Sequence, residues 1–283
     1  TLQRYTYADF ADRVGRLANA LEKLGVRRGD RVATFAWNNA RHFELYLAVP
    51  CMGAVLHPIN LRLPGDQIAY IINHADDQVL FVDTTLLPAV EKLAPYLKSV
   101  KHFVVMDEHV PADCKLPNVH AYEELLSATS PDHPWPHLDE NDAAAMCYTS
   151  GTTGNPKGVV YSHRSIFLHC MGLTMADSLG LQERDSYLPV VPMFHVLAWG
   201  TPFASAMIGA KMVFPGPHLQ PRDLAELIQA EKVTFTAGVP TIWFGLLSLL
   251  DKERYDLSSL RAMVVGGAAA VASPLLLAQQ VHA

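Results

Sequence analysis

Residues 143–159 read Ala-Ala-Ala-Met-Cys-Tyr-Thr-Ser-Gly-Thr-Thr-Gly-Asn-Pro-Lys-Gly-Val, an apolar run that breaks into hydroxyl side chains, glycines and one lysine. The run Ala143–Tyr148 predicts a buried strand. Behind it, Gly151, Gly154 and Gly158 let successive N–H groups converge on an anion as a nest, because glycine reaches positive φ and admits a close ligand. Thr149, Ser150, Thr152 and Thr153 add hydroxyl donors around it. Lys157 supplies a mobile positive charge, and Pro156 stiffens the loop tip that presents it. With a helix start expected at Ser162, the order strand, glycine-rich loop, helix argues for a phosphate cradle. The plain alternative is a flexible surface loop, but a solvated linker has no need of the flanking elements. A Walker A loop is excluded: that motif needs Gly-Lys-Ser/Thr at its end, whereas here Lys157 precedes Gly158 and Val159.

Outward from this window the hydrophobic periodicity alternates between helix and strand. Upstream it predicts helices at 7–24, 42–52, 66–73, 88–97 and 122–128, and strands at 31–37, 54–59, 78–82 and 101–106. Gly25 stands where a helix C′ glycine belongs. Downstream it predicts helices at 162–173, 196–208, 223–230 and 239–250, with strands at 186–190, 211–214, 234–237 and 261–265. The stretch Ser130–His137 carries three prolines and reads as an internal loop rather than a divider between independent domains. This alternation predicts an α/β class with mainly parallel sheets flanked by helices.

Composition narrows the function classes. The chain has 283 residues, 50% hydrophobic and 18% charged, which suits a globular protein with a large core. Its net charge is −6 and it has no basic run, so nucleic acid is not an expected partner. Cys51, Cys114, Cys147 and Cys170 form no CxxC pair and no cluster with histidine. They read as reduced thiols in a cytoplasmic protein. No apolar run reaches the roughly 18–20 residues that span a bilayer, and no export signal opens the chain.

The window 148–159 resembles the signature loop of the adenylate-forming (AMP-binding) superfamily of acyl-coenzyme A synthetases, luciferase-like enzymes and adenylation domains. Tyr161–Ser165, Pro192-Met193-Phe194-His195, Gly238-Val239-Pro240-Thr241 and Val265-Gly266-Gly267-Ala268 follow in the family's order. They are most similar to medium- and long-chain fatty acyl-CoA synthetases. The resemblance implies the large N-terminal domain of that fold, truncated, with residues 1–283 as an incomplete adenylation domain. It implies ATP, Mg²⁺ and coenzyme A as partners of a fatty acid, and leaves room for a homodimer.

Carried over residue by residue, the resemblance places Thr149, Ser150, Gly151, Thr152, Thr153, Gly154 and Lys157 around the triphosphate, with Thr149 also helping to hold magnesium. His195 is placed beside the reacting carboxylate, Val196 and Trp199 along the acyl tunnel, and Gly267 at the adenylate. Lys157 and His195 are the catalytic candidates. From the residues alone, His195 reads first as a packed, hydrogen-bonded core histidine, and Trp199 and Trp243 as core aromatics. On a helix, Trp199 would share one face with His195. Gly266-Gly267 reads either as close approach to a planar ligand or as a packed strand-to-helix turn. His163 and Arg164 are given no catalytic role.

Both ends of the chain read as cut, and the family's adenine, ribose and C-terminal lysine motifs have no counterpart here. The expectation is weak nucleotide binding and negligible turnover for this stretch alone. A module that passes its acyl group to a carrier protein, an aryl-acid ligase, and a short nucleotide- or acyl-binding protein are the alternatives.

Overall fold

The computed structural model describes residues 3–149 and 155–267. The chain divides into two compact units. One comprises the residues up to Ala36, Ala40–Ile166 and Phe194–Val196; the other comprises Trp37–Asn39, Phe167–Met193 and the residues from Leu197 on.

The first unit is built on a seven-stranded sheet. Its strands are β1 (Arg31–Phe35), β2 (Val55–Pro58), β3 (Asp77–Val82), β4 (His102–Val105), β5 (Val119–Ala121), β6 (Ala143–Thr149) and β7 (Lys157–Ser162). Their order is β5-β4-β3-β1-β2-β6-β7, parallel throughout except for the antiparallel pair β6–β7 at one edge. Helices cover the sheet, so the central strands are buried on both faces; Val32, Ala33 and Thr34 are fully buried. Phe35, Ile68, Ile71, Ile72, Leu80 and Val82 lie within one core cluster.

Local signals account for the helix ends. The helix Tyr7–Lys23 opens with a capping box in which Thr6 accepts from the Asp9 N–H and Asp9 from the Thr6 N–H. It closes on Gly25 at φ 89°, as its sequence predicts. Along this helix Gly15 lies so close to the Pro131 carbonyl that a Cβ would sit 1.9 Å from the oxygen. Asn19 donates to the Ser130 and Asp132 carbonyls, both at 2.8 Å. The proline-rich stretch is therefore strapped to the helix and lies inside the first unit.

A buried carboxylate holds this unit together. Glu44, on the helix Ala40–Cys51, accepts from Arg13 Nε at 2.7 Å, Tyr5 Oη at 2.8 Å and Tyr122 Oη at 2.6 Å. Arg13 also donates to Glu123, which Arg41 reaches at 2.7 Å.

The second unit carries a four-stranded, wholly parallel sheet. Its strands are β8 (Ser186–Pro189), β9 (Lys211–Met212), β10 (Phe235–Gly238) and β11 (Ala262–Val265), in the order β11-β10-β8-β9. Leu188, Leu224, Ile228, Val233, Trp243 and Leu246 form its core. Trp243 is fully buried there, a core aromatic. Strand β11 is only half-buried, not the buried strand its apolar sequence suggests, because it is the edge of the sheet. Asp185, just before β8, is buried beneath Arg261, which grips both carboxylate oxygens.

The remaining expectations hold to within a few residues at element ends, apart from two. Strand β7 replaces the expected loop leading directly to a helix. A left-handed turn at 196–199 replaces the start of a right-handed helix.

Replacing Glu44 with alanine takes one of two carboxylate partners from Arg13, which keeps Glu123, and strips the buried Tyr122 hydroxyl of its 2.6 Å acceptor. Glu44→Ala is expected to cost about 1–3 kcal/mol, read as a fall in the urea midpoint. Asp185 yields a pH test. Burial pushes its carboxyl up, but bonds from Arg261, Thr234 and the Gln182 N–H prevail and hold it below the usual range. A carboxyl depressed by folding stabilises above its unfolded pKa of about 3.9 and loses that contribution as pH falls through the lower folded value. Urea midpoints measured downward from about pH 4 should therefore fall more steeply in the parent than in Asp185→Asn.

Candidate active site

The hairpin β6–β7 presents the signature window. Its register pairs Thr149 with Lys157 and Tyr148 with Gly158. Residues directly opposite in an antiparallel ladder project from the same face with Cβ atoms about 5 Å apart. Thr149 and Lys157 therefore stand side by side, a hydroxyl and an ammonium, both exposed, at the two ends of the segment 150–156. Ser150, Gly151, Thr152, Thr153 and Gly154 lie outside the described residues.

The strand-loop-helix expectation is corrected here. Gly158-Val159-Val160-Tyr161 continues as an edge strand, as β-branched residues favour, and the helix His163–Thr174 opens only after it. Ser162 caps that helix, accepting from the Ser165 N–H at 3.1 Å. Lys157 is thus fixed by a hairpin ladder and not by a helix N-terminus. Arg164 pairs with Glu140 at 2.7 Å, a surface role, and burial lowers the His163 pKa, opposed by Asp142.

The other motifs gather at one edge of the second sheet. Pro192-Met193 follows β8, Gly238-Val239-Pro240 ends β10, and Gly266-Gly267 follows β11. These strands are adjacent and parallel, so the three segments leave from the carboxyl edge, where α/β sheets bind ligands. Asn38 fixes the segment after β8. Its amide donates to the Pro189 and Val191 carbonyls, both at 2.9 Å, and its carbonyl oxygen accepts from the Met193 N–H at 2.7 Å. Sequence reasoning missed Asn38, because nothing in Trp37-Asn38-Asn39 signals partners some 150 residues away.

Beyond that segment, His195 is exposed, which removes the packed-core alternative for it. Residues Val196, Leu197, Ala198 and Trp199 have φ of 47°, 54°, 48° and 58°, a left-handed turn made without glycine. The expected right-handed helix starts only at Thr201. The reason is Pro202: inside a helix begun at Val196 it would lack an N–H and clash with the Ala198 carbonyl. Instead that carbonyl accepts from the Thr201 hydroxyl at 2.6 Å, and the Trp199 carbonyl pairs with His169 Nε2 at 2.9 Å. Trp199 therefore does not share a right-handed helical face with His195.

The Trp199 ring rests on Gly266. A Cβ at Gly266 would lie 2.6 Å from the ring edge. Gly267 follows at φ 86°, a conformation that favours glycine. The structure thus brings Trp199 together with Gly266, next to Gly267 in the chain, although these candidates are far apart in sequence.

The AMP-binding enzyme family profile matches residues 1–281. The chain belongs to the AMP-binding enzyme family. It is 51% identical over 95% of its length to a long-chain-fatty-acid–CoA ligase of Thermus thermophilus. It is 50% identical over 92% of its length to a medium-chain-fatty-acid–CoA ligase of Ectopseudomonas oleovorans. The chain spans about half the length of each, 48% in both cases. Among solved structures, the inhibitor-bound N-terminal domain of FACL13 from Mycobacterium tuberculosis matches 99% of the chain and 67% of that domain, with TM-score 0.86 and 28% identity. The fold is that of an acyl-CoA synthetase N-terminal domain, as the motifs imply.

The fit of Trp199 on Gly266 gives a direct test. Gly266→Ala should displace the indole at a cost of about 1–3 kcal/mol. The difference in tryptophan emission between parent and variant should vanish when both carry Trp199→Phe.

Proposed function

We propose that this chain forms part of the N-terminal adenylation domain of a fatty-acid–CoA ligase. The observation that carries this reading is the opposition of Thr149 and Lys157 across the hairpin, in a chain about half identical to two such ligases. ATP and a fatty acid are the first substrates. The acid's carboxylate oxygen attacks the α-phosphorus in line, the bond to the bridging oxygen breaks, and pyrophosphate leaves. The sulfur of coenzyme A then attacks the acyl carbonyl and AMP departs.

In this reading the ammonium of Lys157 and the donors of 150–154 neutralise charge that moves onto the leaving pyrophosphate, where positioning and electrostatics dominate the rate. His195 orients the carboxylate, Val196 and Trp199 line the acyl path, and Gly267 allows close approach of the adenylate. For magnesium, the described residues hold no cluster of three His, Cys, Asp or Glu side chains. The single Thr149 hydroxyl suits an ion that takes most of its oxygens from phosphates and water, which is how Mg²⁺ is usually bound. When bound, such an ion would neutralise phosphate charge.

Small differences in pocket shape decide which chain length is preferred. Each methylene is worth only about 0.8 kcal/mol, and the two relatives, at 51% and 50% identity, differ in that preference. No described helix is long and apolar enough to cross a membrane, and the four free cysteines suit a reducing, cytoplasmic setting.

The test is acid-dependent pyrophosphate release by the intact protein with acetate, medium- and long-chain fatty acids and benzoate, with and without coenzyme A. Release with a fatty acid, and thioester only with coenzyme A, supports the ligase. Release without coenzyme A use points to a carrier-protein acceptor, and release with benzoate alone to an aryl-acid ligase. No release with any acid overturns the reading. Lys157→Ala should slow adenylation on the order of 10²–10³-fold at saturating ATP. Trp199→Ala should shift preference among acid lengths while leaving KM for ATP unchanged.

A further inference from the structure

Strand β7 has an unusual problem. It lies at the sheet edge, and its first four residues, Lys157–Val160, are exposed. Core packing therefore does little to fix the strand that carries Lys157. Its ladder to β6 holds one side, and the Met146 side chain and one aromatic ring over Gly158 supply further constraints.

That ring is Tyr148. Directly opposite it stands Gly158, whose lack of a side chain lets the ring lie across the strand; a Cβ there would meet Tyr148 Cε2 at 3.2 Å and Cζ at 3.3 Å. The ring is held from two further directions. His57 of β2 packs on it with centroids 5.2 Å apart and planes tilted by 35°. The Tyr148 hydroxyl shares a 2.6 Å hydrogen bond with Nδ1 of His74, on the helix Gly65–Ala75. Both supports are themselves braced. His57 is fully buried with Nδ1 2.8 Å from the Asp77 carboxylate, and His74 stacks on Tyr70 at 5.3 Å. Burial keeps the Tyr148 hydroxyl protonated, its pKa pushed up to about 12.

We propose that Tyr148, clamped between His57 and His74, is a positioning residue that pins Gly158 and so fixes Lys157 for the nucleotide. It acts through Lys157 and does not touch substrate. This inference rests on the reading of Lys157 as a phosphate ligand. The interaction at stake is the hydroxyl bond, since the ring packing survives in Tyr148→Phe and the stacking on Tyr70 survives in His74→Phe.

Two measurements test it. Without nucleotide, amide hydrogen exchange of residues 157–161 should quicken about five-fold in Tyr148→Phe and in His74→Phe, with the melting temperature close to the parent's. In pyrophosphate release by the intact protein, each variant should raise KM for ATP about five-fold and leave KM for the acid unchanged. The double variant should be no worse than the worse single one, because both remove one bond. Gly158→Ala, whose Cβ would press on the Tyr148 ring as well as on Met146 Cε at 3.0 Å, should reproduce the ATP defect. Unchanged exchange in both variants overturns the proposal, as does an equal rise in KM for ATP and acid, or additive effects in the double variant. Faster exchange in variants of a parent that releases no pyrophosphate supports the tether and overturns the reaction assigned above.

Discussion

The pairing of Thr149 with Lys157 is the constraint on which the site depends. A parallel sheet delivers every strand end of one kind to one edge, and consecutive parallel strands need a long crossover between them. Only an antiparallel return places two consecutive strand ends side by side across a short loop. Strand β7 provides that return at the edge of an otherwise parallel sheet. It brings a hydroxyl and an ammonium to the two feet of the glycine-rich segment. The cost is an edge strand with little burial, and the contacts that steady it come from β6 and from the side chains of Met146 and Tyr148 over Gly158.

The second unit solves a similar problem by other means. Its sheet is wholly parallel, so β8, β10 and β11 release their following segments at one edge. Past the last ladder bonds, such as those from the Val190 and Val191 N–H groups to the Ala237 carbonyl, those segments must be held by other groups. Asn38 does this after β8 by acting as both donor and acceptor to a chain that runs irregularly from Pro189 to Met193. One amide side chain, nearly buried, replaces three ladder hydrogen bonds there.

Much of this was legible in the residues because local rules and the global fold agree. Phe10, Val14, Leu17, Ala18 and Leu21 recur at helical spacing and are buried on one helix face, and Gly25 ends that helix where its φ requires glycine. The small residues at Gly266-Gly267 were legible as a place of close approach, though not that an indole on the same unit makes it. Strand β7 was obscured because Lys157-Gly158 reads as loop, and its partner is the strand just left. The short strand β5, three residues long, carries no periodicity to detect. Asn38, His74 and His169 were illegible because their roles come from tertiary neighbours, and a lone polar residue carries no record of them.

The turn at Val196–Trp199 shows where local preference yields to position. Left-handed backbone costs about 1–2 kcal/mol per non-glycine residue, and four occur in succession. Such strain persists only where the surroundings over-determine it. Here three successive carbonyls are each satisfied locally: Leu197 by the Gly200 N–H, Ala198 by Thr201, and Trp199 by His169. Leu197 and Ala198 are buried, and Gly200 takes φ 71° against the His169 ring, where a side chain would collide. Pro202 prevents the helix behind from growing backward to absorb the turn. The strain is therefore retained by design of the sequence around it, and its product is a Trp199 side chain set against the bare backbone of Gly266. A right-handed helix through these residues would be cheaper locally, and it would aim the indole elsewhere.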